Sequence, residues 1–174
     1  MLWLVLILFM PETLKVTVVV STKLKSNSPV FKSLRTEVER MMPVQVEWRD
    51  LGRDPEELLD NPVVLKILGR CRSTGANTIG SSGPMGWTAK VDGEVLPFVF
   101  VDCDIVTKAL GDTTQAQYGT ALGRVVVHEL YHALTRTGVH GEGLMKGVVD
   151  IHRLTSPGLK LTQRQIEEIR RTLK

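Results

Sequence analysis

Apolar positions along the chain change period several times, and each change marks an element. Leu14 to Val20 reads L-K-V-T-V-V-V, a short β-branched run that predicts a strand inside a sheet. The polar stretch 21–28 follows as a loop. Ser28-Pro29 then offers an N-cap with proline at the first helical position. Val30, Phe31, Leu34, Val38 and Met41 recur at helical spacing, so a helix over 29–42 is predicted. Val44 to Trp48 alternates as a half-buried strand does. Strand, helix and strand in so short a span make a βαβ unit, hence a parallel pair with a right-handed crossover.

Beyond it, 50–61 is charged and irregular, and Val63 to Leu68 reads as a third strand. The stretch 73–86 is rich in Gly, Ser, Thr and Asn but lacks the order of a phosphate loop. It is either a mobile loop beside a cleft or a plain surface loop. Trp87 to Val91 and Glu94 to Asp102 flank Asp92-Gly93, a pair suited to a type I′ hairpin turn. Asp112 with Gln115 three residues on is a capping-box pattern, predicting a helix over about 114–137. Val126, Leu130, Ala133 and Leu134 form its buried stripe. Residues 148–154 are extended or a short helix. Thr162 and Gln165 cap a last helix, with Leu161 and Ile166 at the staple positions and Ile166, Ile169 and Leu173 facing the core.

Composition narrows the class. A chain of 174 residues is long enough for one domain with a real core. A net charge of +3 is too mild to argue for nucleic acid. Arg164, Arg170, Arg171 and Lys174 read as a solvated helix face. Met1 to Met10 is apolar but too short to span a bilayer, which takes about 20 residues. It matches a signal-peptide core without its basic flank or cleavage site; a pairing strand and an anchor are the alternatives. The domain reading is therefore 1–10 as a signal remnant or strand and 11–174 as one domain. Cys71 and Cys103 are the only cysteines. In an exported protein they would pair, closing a loop worth about 3 kcal/mol; two buried thiols are the alternative.

The chemistry is concentrated in one stretch. Val125-Val126-Val127-His128-Glu129-Leu130-Tyr131-His132 carries H-E-x-x-H, and His140 follows eight residues after His132. On a helix His128 and His132 share a face one turn apart, so both imidazoles can reach one metal ion. Glu129 lies about 100° round the helix, beside the metal without ligating it, as a base acting on a metal-bound water should. Gly138 suits a left-handed C′ position that turns the chain back and returns His140 to the metal. A core helix with two satisfied histidines is the bland alternative.

In metzincins the pattern is H-E-x-x-H-x-x-G-x-x-H. Here Thr135 stands at the glycine position and Gly138 at the third histidine. The chain resembles small secreted bacterial zincin-like proteins, through His128-Glu129-Leu130-Tyr131-His132-Ala133-Leu134-Thr135, His140, and Leu144-Met145. The upstream runs Gly83 to Ala89, Asp92-Gly93, Leu96 to Phe98 and Asp102-Cys103 share in the resemblance. It implies an α+β, zincin-like fold: a mixed, twisted sheet packed on the HExxH helix, with a C-terminal helix. It implies a zinc metalloendopeptidase with His128, His132 and His140 as ligands and Glu129 activating a zinc-bound water. Met145 is then either a Met-turn residue or core filler. Should His140 not ligate, Asp150, His152, Glu167 or Glu168 would complete the set; Tyr118, His152 and Arg153 are candidates for stabilising the oxyanion. The expected substrate is a peptide or protein, cleaved by a monomer that is secreted, with a cytoplasmic location as the alternative. The competing function is a zinc-binding, non-hydrolytic or partner-binding domain of the same fold.

Overall fold

The computed structural model describes residues 14–51, 62–74, 83–147 and 151–174, with nothing said of the side chains of Ile151 and His152. The readings for 1–10, for most of 50–61, and for the middle of 73–86 lie outside the described residues.

Among the described residues, five strands form one sheet. They are β1 (Lys15–Ser21), β2 (Gln45–Asp50), β3 (Val63–Leu68), β4 (Gly86–Val91) and β5 (Glu94–Asp102), in the order β2-β1-β3-β5-β4. β1 pairs in parallel with both β2 and β3, and β3 with β5. β4 alone runs antiparallel and forms one edge, with β2 at the other. The β4–β5 turn is the predicted one: Asp92 (φ 51°) and Gly93 (φ 86°) both take positive φ, as a type I′ turn requires.

α1 (Pro29–Met41) begins as its sequence dictates, with the Ser28 hydroxyl accepting from the Phe31 N–H at 3.2 Å. Its apolar stripe Val30, Phe31, Leu34, Val38 and Met41 is buried. α3 (Gln115–Thr135) is the central helix, buried on nearly every side, and that is why its apolar residues overflow a single stripe. It lies between the sheet and the smaller helices α4 (Ile151–Thr155) and α5 (Gln163–Thr172). Its start differs from the reading at Asp112. Thr114 is the N-cap, accepting from the Gln117 N–H while Gln117 Oε1 accepts from the Thr114 N–H, both at 3.2 Å. The displacement follows from a helix the apolar pattern did not reveal, α2 (Cys103–Leu110), whose C-cap Gly111 occupies φ 64°. Residues 111–113 are used up in connecting it to α3.

Two glycines let α1 and α3 cross closely. A Cβ on Gly119 would stand 2.5 Å from the Val30 carbonyl oxygen, and one on Gly123 2.8 Å from that of Leu34. Beside this crossing, buried Arg124 donates from Nε to Glu37 Oε1 at 2.6 Å and from Nη1 to the Leu154 and Ser156 carbonyls at 2.8 and 2.6 Å. One cation thus ties α1, α3 and the α4 region together. The end of β3 is joined to the start of α2 by the Cys71–Cys103 disulfide. Among the described residues, no helix is long and apolar enough to cross a membrane.

Candidate metal centre

The last two turns of α3 present His128 and His132 toward one point. His128 Nδ1 donates to the Leu144 carbonyl at 2.8 Å and His132 Nδ1 to the Thr137 carbonyl at 2.6 Å. A carbonyl can only accept, so in both neutral rings the proton sits on Nδ1 and Nε2 carries a lone pair. The two Nε2 atoms face each other at 3.2 Å. No hydrogen lies between them to satisfy either. His140 arrives on the loop after the helix, its ring centroid 4.9 Å from that of His132 and 5.3 Å from that of His128. One nitrogen from each of the three rings lies within 4.8 Å of the others.

A tetrahedral zinc with Zn–N bonds of about 2.05 Å separates its nitrogens by about 3.3 Å. The His128–His132 pair has that spacing already, and a nitrogen of the exposed His140 ring lies within 4.8 Å of both. Electrostatics point the same way. Burial pushes His128 down to about 4, against its bond to the Leu144 carbonyl. Burial also holds His132 below the ordinary histidine value, against its bond to Thr137 and with the charges of His140 and Lys90 adding to the effect. Neutral rings are the form that binds a metal.

Glu129 is buried beside this cluster. Thr88 on β4 places its hydroxyl 2.8 Å from Glu129 Oε2 and 3.1 Å from the Glu129 carbonyl. Burial pushes the carboxyl up to about 7, while the Thr88 hydrogen bond and the charge of Lys90 pull it down. A carboxyl balanced near neutrality suits proton transfer. Gly86 gives it room, since a Cβ there would stand 2.9 Å from Glu129 Cγ and 2.9 Å from Val125 Cγ1. β4 and α3 thus form two walls of a cleft of about 410 Å³ holding the three histidines, Glu129, Thr88 and Lys90.

The turn that returns His140 is not the expected one. α3 ends at Thr135, and Arg136 takes the left-handed conformation (φ 54°, ψ 29°). Its guanidinium is anchored on the Val95 carbonyl at 3.2 Å. Gly138 is absent from the positive-φ residues; its lack of a side chain matters because a Cβ there would collide with Lys90 Nζ. Met145 is buried in a one-turn 3₁₀ helix, Gly143–Met145. The preceding carbonyl, Leu144, orients His128, so this turn serves the site through its backbone.

The remaining candidates go elsewhere. Tyr118 is fully buried, its hydroxyl donating to the Cys103 carbonyl and accepting from Thr107, both at 3.0 Å. It has no access to the cleft, and the reading of it as an oxyanion stabiliser is wrong. Arg153 does not line the cleft. Glu167 accepts from Gln163 and Glu168 from the Tyr131 hydroxyl. Neither joins the histidines, which among the described residues form the only such group. Asp150 and the His152 side chain lie outside the description. Sequence reasoning gave Gly86 and Thr88 only as part of the resemblance, assigned them no role at the site, and missed Lys90; their signal was their alternation along an arm of the hairpin. The orienting carbonyls of Thr137 and Leu144 left no signal.

This architecture recurs in two crystal structures of archaemetzincins. That from Methanopyrus kandleri superposes with a TM-score of 0.55 at 16% identity, covering 92% of this chain and 96% of its own. That from Archaeoglobus fulgidus, solved in complex with malonate, gives 0.51 at 13% identity, covering 88% and 99%. No family model matches the chain, and no curated protein does. At these identities the likeness is one of fold. The chain has the fold of the archaemetzincins, and on it a histidine cluster that could hold a metal ion.

Proposed function

We propose that this chain is a zinc-dependent peptidase, with His128, His132 and His140 as ligands and Glu129 as the general base. The observation that carries the reading is the pair of Nε2 lone pairs facing each other at 3.2 Å, an arrangement a shared cation would satisfy. Three imidazoles suit zinc and leave a fourth position open. When bound, the metal would supply a Lewis acid that polarises a carbonyl and lowers the pKa of a water. The chain's own groups do the rest. Glu129 takes a proton from the attacking water as its oxygen bonds to the scissile carbonyl carbon. It then delivers that proton to the amine nitrogen as the C–N bond breaks. Thr88 holds the carboxylate in position for both transfers.

Among the described residues nothing pairs with the outer edge of β4, where an extended peptide can add as a further strand. That favours cleavage within a peptide over attack on a compact molecule. The Cys71–Cys103 disulfide fits an oxidising compartment, in keeping with export.

Elemental analysis of the purified protein, wild type and His140→Ala, together with a peptide hydrolysis assay of Glu129→Gln, tests the reading. The expected result is one zinc per wild-type chain, much less in His140→Ala, and full zinc without hydrolysis in Glu129→Gln. A wild type that takes up no zinc after supplementation overturns it. Zinc binding with no hydrolysis of any peptide leaves the partner-binding alternative.

A further inference from the structure

The charges of the cleft are unevenly assigned. Its ionisable lining consists of the three histidines, Glu129, Arg124, Lys90 and Lys146. Arg124 is committed to Glu37 and to backbone carbonyls, and Glu129 is held by Thr88. Among the described residues, neither lysine's ammonium has a hydrogen bond or ion pair with a protein group. Lys90 stands on β4 in series with the two residues that serve Glu129: Gly86 makes room for its carboxyl, Thr88 holds it, and Lys90 comes next on the cleft side. The ammonium lies against Gly138, in the loop between His132 and His140, in space that any side chain at 138 would fill.

A lysine normally keeps its ammonium in water or against a carboxylate. Lys90 is solvent-exposed, but its ammonium stands at the cleft beside Gly138, in the loop that carries His140, and among the described residues no carboxylate forms an ion pair with it. We propose that Lys90 is an anion subsite, reading a carboxylate of the bound peptide next to the scissile bond. The cleft would then select substrates carrying an acidic side chain or a free C-terminus at that point, with Lys146 adding to the attraction. The inference rests on the peptidase reading for what the cleft holds, but its test needs no turnover.

Binding of fluorescent peptides is measured by anisotropy on zinc-loaded Glu129→Gln protein, with and without Lys90→Gln or Lys90→Glu. Three otherwise identical peptides are used: one with Asp and an amidated C-terminus, one with Asn and an amidated C-terminus, and one with Asn and a free C-terminus. With Lys90 intact, one of the two carboxylate peptides should bind about tenfold tighter than the neutral one, the scale of one charge-assisted hydrogen bond. Which of them does so identifies the source of the carboxylate. The preference should vanish in Lys90→Gln, reverse in Lys90→Glu, and shrink at high salt. Equal binding of all three peptides overturns the proposal, as does a preference that survives Lys90→Gln in a variant with unchanged zinc content and circular dichroism. Hydrolysis without any preference sinks the subsite alone, and a preference without hydrolysis sinks the peptidase alone.

Discussion

Glu129 shows how much of a catalytic group's character is lent by its neighbours. Its position on the helix, one residue after His128, is a property of the sequence; its protonation is decided across the cleft. Burial pushes the carboxyl up to about 7, and the Thr88 hydroxyl opposes that rise. A hydroxyl has one hydrogen, and here two oxygens of the same residue stand within its reach. Removing it in Thr88→Val should therefore raise the Glu129 pKa further. The acid limb of the pH–rate profile should move to higher pH, with zinc content unchanged. An acid limb that stays in place would show that Thr88 does not act on the carboxylate.

At the scale of elements, the decisive contact is the crossing of α1 and α3. In an isolated helix, replacing a mid-helix glycine by alanine gains about 1 kcal/mol. At Gly119 the new methyl would meet the Val30 carbonyl oxygen at 2.5 Å, and backbone cannot swing aside as a side chain can. Overpacking of this kind costs about 1–3 kcal/mol, so the tertiary cost outweighs the propensity gain. Gly119→Ala should lower the denaturant midpoint, and Gly123→Ala should do so less, its contact being 2.8 Å. A raised midpoint in Gly119→Ala would mean that the helices can part at little cost.

Capping tells a related story. Thr162 with Gln165 is both the sequence reading and the structure. Asp112 with Gln115 has the same form but loses to Thr114 with Gln117. Both patterns stand in the sequence two residues apart, and only the preceding helix α2 decides between them. The same limit applies to the third-histidine turn. The need for a left-handed residue was legible, but Arg136 fills that role through its anchor on Val95, a residue 41 positions away.

Across the whole molecule, stability should depend on acid through Glu37. Burial alone would raise its pKa, but hydrogen bonds from Arg40 and Arg124 and their charges outweigh it and hold the carboxyl below the ordinary 4.5. A carboxylate with a depressed folded pKa stabilises the fold above the unfolded value. That contribution is present above about pH 4.5 and is lost as pH falls through the lower folded value. Glu37→Gln leaves Arg124 buried without its counter-charge, which costs about 3–5 kcal/mol at neutral pH. The variant should also lose part of the acid sensitivity below pH 4.5. Unfolding midpoints of both proteins between pH 3 and 7 check this; parallel curves would show that the pair does not govern acid stability.

The sequence by itself determined most element types but not the helix α2, and it determined the parallel βαβ start and the hairpin turn, because period, caps and an Asp-Gly pair are local signals. It also determined the spacing of His128, Glu129 and His132, since a helix fixes relative direction over one turn. Tertiary structure alone decided which hairpin arm is the sheet edge, and that Gly86, Thr88 and Lys90 stand opposite α3. It alone decided that the Leu144 and Thr137 carbonyls turn the imidazole Nε2 atoms toward one point. Those pairings join residues distant in the chain, and the physical quantities they control — close approach, desolvation and the direction of a lone pair — exist only once the strand, the helix and the loop have come together.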